Sequence, residues 1–138
     1  QHHMAKELEP HSRIATLAAD TVRVRKIFSG ISGPALLVDC LSLWLTDAMD
    51  RVGAWDDERW ADGGQAALRE RTAELVAAVR ATRRTVVAVT NEVGSGVVPA
   101  TAAGRRFRDE LGRLNAAFAD ECEEVLLVVA GQALVLRG

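Results

Sequence analysis

Three short apolar runs constrain this 138-residue chain more than any other feature. They are Ala35-Leu36-Leu37-Val38, Thr85-Val86-Val87-Ala88-Val89 and Val125-Leu126-Leu127-Val128-Val129. Each is shorter than a stable helix and lacks the polar alternation of a half-solvated strand. Such runs mark strands buried on both faces of a parallel sheet. Parallel strands need long crossovers, and amphipathic stretches lie between the runs. From Leu41 to Met49, the residues Leu41, Trp44, Leu45 and Ala48 share a face. A second stretch, Gln65 to Thr82, runs through Leu68, Leu75, Val76 and Val79. A third, Arg105 to Asp120, turns Phe107, Leu111, Leu114 and Phe118 inward. The alternation predicts an α/β fold, a three-layer and mostly parallel sheet with helices on both faces.

Ile14, Leu17, Ala18, Thr21 and Phe28 recur at helical spacing after Pro10 and Ser12, which predicts a helix ending near Gly30. Gly33-Pro34 breaks the chain before the first run. Gly53 to Gly64 is polar and reads as a loop or lid anchored by Trp55 and Trp60, and Val93 to Pro99 as a glycine-containing loop. Gly131-Gln132 turns into Ala133 to Leu136, a final edge strand paired as a hairpin. Gln1-His2-His3-Met4 reads as a tag remnant. The expected organisation is thus residues 1–4 as tag, 5–32 as an N-terminal helical segment and 33–138 as the α/β domain.

Composition narrows the partners. Lys+Arg is 17 against Asp+Glu 19, a net charge of −2, which removes the electrostatic reason to expect nucleic acid or an anionic membrane. No apolar run approaches the length of a membrane span. Cys40 and Cys122 are far apart and outside any CxxC pair, so they read as buried free thiols in a reducing cytoplasm, with no metal site.

Chemistry is expected beyond the carboxyl ends of the strands. Asp39 ends the first run, and Asn91-Glu92 follow the second. An apolar strand ending in an acid suits a carboxylate that holds Mg²⁺ or a nucleotide. An Asp that caps the next helix explains the same pattern structurally. The glycines of Asn91-Glu92-Val93-Gly94-Ser95-Gly96 let backbone N–H groups approach an anion, and a simple connection explains them too. Arg105, Arg106 and Arg108 near a helix start oppose the macrodipole. They point to phosphate or a subunit contact, unless Asp109 and Glu110 neutralise them locally. The three tryptophans read as core or interface anchors.

Three segments carry a resemblance. Leu37 to Leu45 (LVDCLSLWL), Val89 to Pro99 (VTNEVGSGVVP) and Arg105 to Asn115 (RRFRDELGRLN), with the closing LLVVAG, resemble the adenosylcobinamide kinase / adenosylcobinamide-phosphate guanylyltransferase family. The similarity runs from Gly33 to Gly138, about three quarters of the chain. It implies a P-loop NTPase-like fold and assembly of the cobalamin nucleotide loop, with phosphoryl and GMP transfer from ATP or GTP with Mg²⁺ to a corrinoid, in a homo-oligomer. It also implies nucleotide contacts for Asp39, Asn91 and Glu92, and phosphate or subunit contacts for Arg105 and Arg108. Catalytic residues stay unassigned, although His3, preceded by Gln1-His2, is the position that resembles the family's guanylylated histidine.

One part of the pattern is missing. The chain holds no GxxxxGK[ST] stretch, and only 32 residues precede Gly33. The expectation is a domain lacking the N-terminal P-loop unit, incomplete for catalysis by itself, whose sheet misses its central strand. A non-catalytic oligomerisation or partner-binding module derived from the family is the alternative.

Overall fold

The computed structural model describes residues 13–16, 35–92 and 99–138, the first of these as backbone alone. Five strands form one sheet in the order β2-β3-β1-β4-β5. They are β1 (Arg13–Thr16), β2 (Ala35–Asp39), β3 (Thr85–Val89), β4 (Glu124–Val129) and β5 (Gln132–Arg137). The first four are parallel, and β5 returns antiparallel on β4 through the Ala130-Gly131 turn. Three main helices connect them: α1 (Leu41–Val52), α2 (Gln65–Ala81) and α3 (Ala102–Asp120).

The centre of the sheet differs from expectation. Arg13–Thr16, read from sequence as the start of a helix, is a strand paired with both β3 and β4. The segment set apart as 5–32 therefore contributes the middle strand, and the sheet has no gap there. Four residues are too few to carry a decisive period, and lateral pairing on both sides outweighs local spacing. The remainder of that predicted helix, and the loop at 93–98, lie outside the described residues.

The helices behave as their patterns require. Leu41, Leu45, Ala48 and Met49 of α1, Leu68 and Val79 of α2, and Leu111, Leu114 and Phe118 of α3 pack with Val86, Ala88 and Val125 in one core. Val87 and Val89 alternate to the other face of β3 and are buried as well, so this strand fits the two-sided reading. By contrast β2 lies at the sheet edge, and Leu36 and Leu37 are 39% and 41% exposed. A continuous apolar run there does not mean burial. The described helices share the single core just named; a helical layer on the other face belongs to the expectation alone.

Gly53 to Gly64 is not an irregular loop. Gly53 ends α1 in the left-handed conformation, φ 71°, with its N–H on the Asp50 carbonyl. Asp56 then caps a short turn, Asp57–Arg59, by accepting from the N–H groups of Glu58 and Arg59. A wide turn, Trp60–Gly64, leads into α2. Trp60 packs against the core, whereas Trp55 is half-exposed and donates to Asp50. At the far end, Arg80 makes two hydrogen bonds to Glu121, 2.9 and 2.8 Å, which hold its guanidinium above the ordinary arginine pKa.

Candidate functional site

Strand register fixes the site. Asp39 pairs with Val89, so the ends of β2 and β3 lie side by side and Thr90-Asn91-Glu92 emerge next to Asp39. The Asp39 carboxylate is exposed. It does not cap α1: Cys40 occupies the N-cap position, without a side-chain cap bond. Cys40 is only half-buried, contrary to the apolar setting expected for it, and its Sγ lies 2.9 Å from Ser42 Oγ. Cys122 is buried as expected, donating to the Phe118 carbonyl.

A chain of polar contacts holds this edge. Asn91 Nδ2 donates to Ser42 Oγ at 2.9 Å, and Asn115 Nδ2 donates to the Asn91 carbonyl at 2.9 Å. Thr90 Oγ1 donates to Asn115 Oδ1 at 2.7 Å. Ser42, Thr90 and Asn115 are all buried. Buried polar groups persist only when paired. The network thus ties the start of α1, the end of β3 and the middle of α3 into one unit, and it orients Asn91.

The helix α3 carries the arginines outward. It starts beyond the carboxyl edge, where β3 ends, and finishes at the amino edge, where β4 begins. Asn115 is the residue that touches the strand end, thirteen positions after Ala102. At 1.5 Å per residue, the first part of α3 therefore extends about 20 Å along the helix axis from that contact. Arg108 stands about 10 Å beyond Asn115 along the axis, and Arg105 about 15 Å. Arg105 is exposed and donates to the Pro99 carbonyl at 3.1 Å, while Arg108 is half-buried.

Their neighbour Arg106 has a structural role. It donates to the Ala54 carbonyl at 2.6 Å and to Asp57 Oδ1 at 2.9 Å, and its guanidinium lies 5.2 Å from the Trp60 ring centre. Asp57, rather than Asp109 or Glu110, balances it. Glu110 instead lies between Arg69 and Arg113.

Asp39 and Asn91 are thus assembled on one edge, with Glu92 following in the chain. Arg105 and Arg108 lie on α3, seven or more positions before the residue that touches the strand end. Sequence reasoning missed Ser42, Thr90 and Asn115. Their signal was a polar residue within or beside an apolar stripe: Ser42 next to Leu41, and Asn115 next to Leu114. The three histidines lie outside the described residues. Among the described residues, no group of three or more His, Cys, Asp or Glu forms a metal-binding cluster.

Comparison with known proteins gives a consistent picture. A family model described as cobinamide kinase / cobinamide phosphate guanyltransferase matches residues 4–136. The bifunctional adenosylcobalamin biosynthesis protein CobP of Pseudomonas aeruginosa is 41% identical over 107 residues, covering 78% of this chain and 56% of the relative. The bifunctional adenosylcobalamin biosynthesis protein CobU of Salmonella typhimurium is 37% identical over 105 residues, covering 75% and 58%. Its namesake from Escherichia coli is 37% identical over 104 residues, covering 74% and 58%. The chain spans a little over half the length of the curated relatives it matches.

Proposed function

Because the chain belongs to the cobinamide kinase / cobinamide phosphate guanyltransferase family, we propose that its carboxyl sheet edge binds ATP or GTP for phosphoryl and GMP transfer to a corrinoid in cobalamin biosynthesis. One observation carries this reading: Asp39 and Asn91 stand at the ends of neighbouring strands, with Asn91 held by Ser42 and Asn115. In open α/β sheets ligands sit outside those ends.

The donor set fits a nucleotide-bound Mg²⁺. This cation keeps most of its waters and takes one or two protein carboxylates together with substrate phosphates. Asp39 is the carboxylate that would hold it, with Glu92 as a second acid nearby in the chain. When bound, the ion neutralises charge on the phosphates. Asn91 orients the nucleotide, and Arg105 and Arg108 approach phosphate charge from the first turns of α3.

These 138 residues contain no GxxxxGK[ST] stretch, so in this reading residues outside them supply the backbone cradle and lysine for phosphoryl transfer. In this reading the working protein is a cytoplasmic homo-oligomer with a three-layer, P-loop NTPase-like architecture. No described helix is long and apolar enough to cross a membrane, and exposed leucines on both edge strands supply surfaces for self-association. Those same edges favour the second reading, a non-catalytic oligomerisation module.

Calorimetric titration with GTP and Mg²⁺ separates the two. Binding by the chain that is lost in Asp39→Ala supports the nucleotide reading. A folded sample that gives no heat up to about 1 mM GTP leaves the module.

A further inference from the structure

A polar groove of about 280 Å³ opens between the start of α2 and the first half of α3. Four guanidiniums line it, from Arg69, Arg105, Arg106 and Arg113, against the carboxylates of Asp109 and Glu110. The local excess is positive, in a chain whose net charge is −2. This groove is distinct from the strand-end site. Arg113 and Asn115 are two residues apart on α3, so they project about 200° apart around the helix.

Glu110 organises the groove. Its side chain is 7% exposed, with Oε1 3.5 Å from Arg69 Nε and Oε2 3.3 Å from Arg113 Nε. In each pair the close approach is through the inner nitrogen of the guanidinium. Glu110 is the ion-pair partner of both Arg69 and Arg113, and neither has another among the described residues. Arg105 spends one N–H on the Pro99 carbonyl, while Arg106 is committed to Ala54 and Asp57. A buried carboxylate thus holds two guanidiniums from beneath, while their outer donors remain for an anion.

The donor geometry selects the anion. A carboxylate ligand is satisfied by a single guanidinium fork, whereas a phosphate monoester presents three oxygens and about two charges. The groove also runs into a larger one of about 520 Å³ between α2 and α3, which shares Arg69, Glu110 and Arg113 and adds Ala73, Val76 and Ala117. A phosphate seated at the arginines leaves room there for an apolar body. We propose that Arg69 and Arg113, held over Glu110, form a phosphate-monoester site separate from the nucleotide edge, with Arg105 at its rim left to the nucleotide.

Such a phosphate comes from a nucleotide or from a phosphorylated acceptor, and three titrants distinguish the sources: inorganic phosphate, GTP with Mg²⁺, and cobinamide phosphate. Each is titrated calorimetrically into the chain, into Arg69→Gln/Arg113→Gln, and into Arg71→Gln, an exposed arginine of α2 outside the groove. The double variant is expected to bind at least one phosphate compound about tenfold more weakly, with Arg71→Gln unchanged. Loss for cobinamide phosphate alone assigns the groove to the acceptor, and loss for GTP alone to the nucleotide tail. Should the double variant melt early, Arg113→Gln, at a side chain 64% exposed, carries the test with a loss of about threefold. Equal affinities in the chain and its groove variants overturn the proposal, as does absence of binding by the chain at about 10 mM. Asp39→Ala tests the nucleotide edge separately, so either site can fail while the other stands.

Discussion

Replacing Asn115 by leucine removes the hub of the polar edge while roughly keeping its volume. The side chain accepts from the Thr90 hydroxyl at 2.7 Å and donates to the Asn91 carbonyl at 2.9 Å, and both Asn115 and Thr90 are buried. Leucine leaves the hydroxyl and the carbonyl without partners. Each orphaned buried group costs about 1–3 kcal/mol. The hydroxyl can rotate and the Asn91 carbonyl lies near solvent, so the lower half of that range applies and the total is about 2–4 kcal/mol. Thr90→Val removes the hydroxyl without changing shape, so in the Asn115→Leu background it should cost almost nothing. A double-mutant cycle by urea denaturation, followed by circular dichroism, should give a coupling of about 1 kcal/mol or more. Additivity within about 0.3 kcal/mol, or a cost for Asn115→Leu below about 0.5 kcal/mol, refutes the network.

Two further substitutions check the packing. A Cβ at Gly64 would meet the Arg59 and Val52 carbonyl oxygens at 2.7 and 2.8 Å. Both are backbone atoms, so Gly64→Ala should destabilise by about 1–3 kcal/mol and lower the melting temperature. At Gly112, inside α3, an added Cβ meets nothing within 4 Å. Gly112→Ala should therefore raise stability by about 0.5–1 kcal/mol through helix propensity, read from the urea midpoint.

What the sequence disclosed, and what it withheld, follows from range. The strands at 85–89 and 125–129 and the three long helices rest on local periodicity, and they form within a few residues of the expected bounds. Edge or centre is a non-local property: Leu36 and Leu37 look as apolar as Val86 and Val87, yet only the latter pair has a strand on each side. For the same reason Arg13–Thr16 could not be recognised as the central strand from four residues. The candidate site was half legible. Asp39 and Asn91 were readable as strand ends, but Ser42, Thr90 and Asn115 become partners only once α1, β3 and α3 meet. Arg106 shows the limit of charge reasoning, since its partners Ala54 and Asp57 lie about fifty positions away in sequence.

The proposed nucleotide site is the carboxyl edge built around Asp39 and Asn91. Backbone amide NMR spectra of the chain, recorded with and without GTP and Mg²⁺, test it most directly. Shift changes are expected at Asp39 to Ser42, at Thr90 to Glu92 and in the first turns of α3, all lost in Asp39→Ala. No changes at about 1 mM nucleotide, or changes confined to residues remote from that edge, would contradict it.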